Sequence, residues 1–182
     1  VLPLSDSLDT IGPMARSAAD AAALLAAMAG PDPRDPTALR APVPDYLAAL
    51  AGIEGARRLR LGLDERLLDE AEPEMAAAIR EVIRTIADLG AELVPVEIPQ
   101  RRPAVEAALT IIDTECARFH DRAFEKDPSA FGPVLADAIR RGRANDPLVL
   151  AGAYMEKDRF RGRVAQMFEG IDALVAPVTP QI

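Results

Sequence analysis

Few side chains in this sequence are of types that do covalent or acid–base chemistry, and their neighbours decide what each can do. The serines are Ser5, Ser7, Ser17 and Ser129, and the lysines are Lys126 and Lys157 alone. A nucleophilic serine needs a base within reach and backbone donors for the oxyanion, which a Gly-Gly-Ser type of loop supplies. None of these serines lies in such a run, and no two of the 11 glycines are adjacent. Lys126 stands between Glu125 and Asp127, and Lys157 between Glu156 and Asp158. Flanking carboxylates favour the ammonium form, so both are read as surface lysines rather than neutral bases. No residue of the chain is therefore assigned a catalytic role.

Three further groupings have the right residue types and the wrong arrangement. Cys116 and His120, the single cysteine and the single histidine, stand four apart on one predicted helix face near Asp113 and Glu115. A structural zinc site wants four ligands and the chain has no other Cys or His, so no metal and no cofactor is expected. A Cys-His catalytic pair at this spacing lacks a separate oxyanion platform, and Cys116 is read as core beside Ile112 and Phe119. The acidic cluster Asp64, Glu65, Asp69, Glu70, Glu72 and Glu74 has the raw material for two carboxylates across a sugar. The simpler reading is a solvated set at a helix N-terminus, where Glu72 and Glu74 interact favourably with the dipole. Arg159, Arg161 and Arg163 alternate around a helix and form no single anion-binding face.

The elements that hold these residues follow from pattern. Ser17 with Asp20 reads as an N-cap with an acidic N3 residue, opening a helix through Leu24, Leu25 and Met28 that stops at Gly30. Five prolines between Pro31 and Pro44 then predict a long surface excursion to Asp45, followed by a short helix over Tyr46 to Ala51. Arg58 to Leu63 reads as a strand, Pro73 to Leu89 as a helix closed by Gly90, and Glu92 to Ile98 as a second strand, together a βαβ unit. Met75, Ile79, Val82, Ile83, Ile86 and Leu89 recur at helical spacing, and Pro73 suits a first turn. Pro95 implies that the second strand is an edge or carries a bulge. Helices are predicted over Ala104 to Phe124, Pro128 to Arg141, and Pro147 to Glu169, the last capped by Asp146 and stopped by Gly170. Asp172 to Pro177, a short apolar run, reads as a buried parallel strand.

With the elements in place, the segment Ser5-Asp6-Ser7-Leu8-Asp9-Thr10-Ile11-Gly12-Pro13-Met14-Ala15-Arg16, followed at once by an Ala/Leu helix, resembles the stretch just downstream of the catalytic core in amidase signature enzymes. The run Gly30-Pro31-Asp32-Pro33-Arg34-Asp35-Pro36-Thr37 is similar to the same family, as is Asp172-Ala173-Leu174-Val175-Ala176-Pro177-Val178-Thr179-Pro180 to its late strand and Pro-rich loop. Leu61-Gly62 and Gly90-Ala91-Glu92-Leu93-Val94 add weaker matches in the same order, so the likeness covers essentially the whole chain. The resemblance implies an α/β fold, part of a mixed sheet with mainly parallel strands covered by helices, with the 182 residues forming one domain that is the C-terminal part of an amidase signature domain. It implies amide hydrolysis in which a Lys and a Ser on a cis peptide relay a proton from a nucleophilic Ser, which forms an acyl-enzyme that water cleaves. Those three positions have no counterpart here. What the likeness carries over is proximity: Asp9, Thr10 and Gly12 beside the active site, and Thr179 and Pro180 at the border of the substrate funnel. Asp and Thr before Gly-Pro are also good turn and capping residues in their own right.

Composition sets the remaining bounds. A hydrophobic content of 49% in 182 residues supports a substantial core. A net charge of -8 excludes a phosphate-backbone partner as the default, and the run Arg57-Arg58-Leu59-Arg60 is too short to reverse that. The longest apolar run, Ala21 to Ala29, is far below membrane-spanning length. One cysteine fits a reducing cytoplasm. The expected partner is a small-molecule amide substrate of a complete enzyme, with no nucleic acid and no membrane. A start at Val1 without methionine and an end at Ile182 in a loop read as cuts in a longer polypeptide. Such a piece is expected to be inactive alone and to self-associate as a homo-oligomer through uncovered apolar surface. The rival reading is a noncatalytic α/β module that binds a small ligand or mediates assembly.

Overall fold

The computed structural model describes residues 3–35, 38–51 and 59–179. Two compact units divide the chain, 1–54 and 55–182. The predicted strand start at Arg58, the basic pair Arg57-Arg58, the motif residues Pro36 and Thr37, and Pro180 lie outside the described residues.

In the first unit, α1 (Ala18–Met28) and α2 (Tyr46–Ala51) pack on each other. Ser17 caps α1 as the sequence predicts: its Oγ accepts from Asp20 N–H at 3.1 Å and donates to the Asp20 carboxylate at 2.8 Å. Gly30 follows the helix at φ +140°, a conformation that favours glycine. Asp45 opens α2 by accepting from Ala48 N–H at 2.9 Å.

The second unit is built on a three-stranded parallel sheet in the order β2-β1-β3, from β1 (Arg60–Leu63), β2 (Glu92–Pro95) and β3 (Ala173–Val175). α3 (Glu65–Asp69) and α4 (Pro73–Asp88) lie in the crossover from β1 to β2, giving the expected βαβ unit. Pro95 sits on an edge strand, where a missing amide donor is tolerated. The middle strand needs Gly62, because a Cβ there would stand 2.5 Å from Ile171 Cδ1 and 3.2 Å from Val96 Cγ2. At the amino end of the sheet Asp172 fixes the register across 112 residues: its carboxylate accepts from Arg60 N–H and from the Arg60 guanidinium, each at 2.8 Å.

After β2 come α5 (Arg101–Lys126), a 3₁₀ turn at Pro128–Ala130, α6 (Pro133–Ala144) and α7 (Pro147–Met167). α6 and α7 both pack on α5, and Cys116, Ala117, Phe124, Ala136 and Ile139 make the buried core between α5 and α6. That packing is close at Gly142, where a Cβ would fall 1.9 Å from the Asp113 carbonyl oxygen. Arg141 from α6 spans the same contact, its Nε and Nη2 donating to the nearly buried Asp113 carboxylate at 2.7 and 3.0 Å.

Four expectations are corrected. α5 begins at Arg101 rather than Ala104, because Pro103 falls within the first turn, where its missing donor costs no intrahelical bond. The helix expected over Pro128 to Arg141 is two elements, split where Gly132 leads into Pro133 at N1 of α6. The second strand ends at Pro95, short of Ile98. β3 is parallel as expected, yet only half-buried at Leu174 and Val175 and exposed at Ala173.

Candidate functional site

In the first unit the candidate residues Asp9, Thr10 and Gly12 follow a tight turn. Leu8 and Asp9 N–H both donate to Ser5 O, at 3.1 and 2.8 Å, and Ser5 is buried. The Asp9 carboxylate closes the turn from the other side, one oxygen accepting from Leu4 N–H (2.8 Å) and Ser5 N–H (3.1 Å). Asp9 therefore acts as the local cap that its residue type suggests. The Thr10 hydroxyl donates to Leu8 O at 3.4 Å, and nothing stands within 4 Å of the place a Cβ would take on Gly12. Pro13, the next residue, borders an apolar cleft of about 280 Å³ with Ala18, Ala22, Leu25, Tyr46 and Leu50.

In the second unit Thr179 is exposed and lies four residues beyond the end of β3. Leu63 is in register with both Pro95 and Val175, so all three strands end at one edge of the sheet. The loop to Thr179, the turn at Asp64 and the segment Val96 to Ile98 leave from that carboxyl edge, the side on which open α/β sheets hold ligands.

Sequence reasoning missed the strongest polar feature of this edge. Asp64 reads by sequence as one of several solvated acids, but its side chain is only 2% exposed. Its Oδ1 accepts from Arg66 Nε (2.8 Å) and Arg66 N–H (3.2 Å), and its Oδ2 accepts from Arg66 Nη2 (2.6 Å) and Ile98 N–H (2.9 Å). Arg66 reaches on to the Glu97 carboxylate. The guanidinium first, with the Ile98 and Arg66 amides, outweighs the cost of burial and holds the Asp64 carboxyl at about 2, well below the usual range. Asp64 thereby caps α3 and ties the turn after β1 to the chain leaving β2. The available signal was Asp-Glu-Arg directly after an apolar strand, which fits an N-cap as well as an acidic surface.

The remaining chemical candidates lie apart from any such edge. Cys116 is fully buried, and burial, followed by the Asp113 charge, pushes its thiol up and away from the reactive thiolate. His120 is stacked edge-on between Phe119 and Phe131, with ring centroids 4.8 and 5.6 Å away. Lys126 is exposed, whereas Lys157 is half-buried with its ammonium 5.1 Å from the centre of the Tyr154 ring. Among the described residues no three His, Cys, Asp or Glu side chains are grouped to hold a metal ion, and no helix is long and apolar enough to cross a membrane.

Comparison with known proteins gives this geometry its context. A family model described as Amidase matches residues 1–182. An amidase of Pseudomonas putida is 35% identical over 185 residues, covering 99% of this chain and 38% of that protein. A glutamyl-tRNA(Gln) amidotransferase component from Myxococcus xanthus (strain DK1622) is 33% identical over 207 residues, covering 99% of this chain and 42% of that protein. Among solved structures, one from a vestigial protein complex, described as revealing the evolutionary origins of an s-triazine catabolic enzyme, matches with a TM-score of 0.85 at 28% identity. That match covers 98% of this chain and 38% of the solved one. The chain thus spans about two fifths of the length of the curated relatives it matches.

Proposed function

Because the chain belongs to the amidase family, we propose that it is the C-terminal part of an enzyme that hydrolyses carbon–nitrogen amide bonds, with both units forming parts of one domain. The observation that carries the reading is a family match over 1–182 in a chain whose own serines and lysines are unsuited to catalysis. Ser5 is buried in its turn, Ser17 caps α1, and the Ser129 hydroxyl donates to the Asp127 carboxylate that caps the 3₁₀ turn. The nucleophilic Ser, the cis-Ser and the Lys of the proposed mechanism therefore belong to polypeptide upstream of Val1, and the isolated chain is inactive.

In this proposal Asp9, Thr10 and Gly12 border the active site and Thr179 and Pro180 border the substrate funnel. Support comes from the open space at Gly12 and from the departure of the Thr179 loop at the carboxyl edge of the sheet. The partner is a small-molecule amide, the enzyme works in the cytoplasm, and the isolated chain self-associates. A serine-directed fluorophosphonate tests the mechanism. The polypeptide of the complete reading frame is expected to be labelled at a serine outside these 182 residues. Labelling at Ser5, Ser7, Ser17 or Ser129 instead, or no labelling in a folded and complete polypeptide, overturns it.

A further inference from the structure

We draw no further inference here: the strongest candidate, the cleft of about 550 Å³ beside α4 that Arg80 and Arg84 line with Leu63, Ala76 and Ile83, carries nothing, because Arg80 is already paired with Asp69 and Glu65 and nothing in the structure shows what covers it.

Discussion

Replacing Asp64 with Asn keeps the size of the side chain and removes the charge that Arg66 and the Ile98 amide surround. A carboxyl held at about 2 in the folded chain, against an ordinary 3.8, contributes roughly 2 kcal/mol to stability at neutral pH. In a chain of this length that corresponds to a fall in Tm of about 4–8 °C. The sign follows from the depressed folded pKa: the contribution is complete above the unfolded value near 4 and is lost as pH falls through about 2. Thermal and urea unfolding of the original chain and of Asp64→Asn, followed by circular dichroism between pH 7 and pH 2, therefore show a gap that is full at pH 7 and closes in acid. A gap below about 0.5 kcal/mol at pH 7, or one that is constant with pH, refutes the assignment of the stability to the buried carboxylate.

Other substitutions probe the packing and the register. Gly142→Ala drives a methyl group into the Asp113 backbone and is expected to cost about 3 kcal/mol or more in denaturant unfolding. Gly152→Ala, at a helical site with nothing within 4 Å, is expected to stabilise by up to about 1 kcal/mol. Asp9→Ala leaves Leu4 and Ser5 amides without their acceptor and is expected to cost about 1 kcal/mol, with faster hydrogen exchange at those two amides. Asp172→Ala releases the clamp between β1 and β3, so Tm falls and the Arg60 amide exchanges faster; the Tm loss shrinks at high salt as the ion-pair share is screened.

Local rules carried much of the fold and stopped where contacts became distant. Ser17, Asp45 and Asp146 each cap the helix they precede, because capping needs only neighbours in sequence. The βαβ unit was legible from the period of α4 and the flanking apolar runs. α3 was not, since five residues show no helical period, and it owes its start to an Asp64 carboxylate fixed partly by Ile98, 34 residues away. The same limit hid the Arg60–Asp172 clamp and the Gly142 contact, which exist only once the strands and helices are assembled. At the candidate site the motif residues were legible by likeness alone. Asp9 turned out to have a definite local task in its turn, and Thr179 a definite origin at the carboxyl edge.

Under the proposed function, catalysis belongs to polypeptide outside this chain and the chain supplies part of the same amidase domain. Ammonia release from a panel of simple amides, measured side by side for the 182-residue chain and for the product of the complete reading frame, tests it directly. The account predicts turnover by the complete protein and none by the chain alone. Turnover by the chain alone, or its absence from a folded complete protein across aliphatic, aromatic and peptide amides, contradicts it.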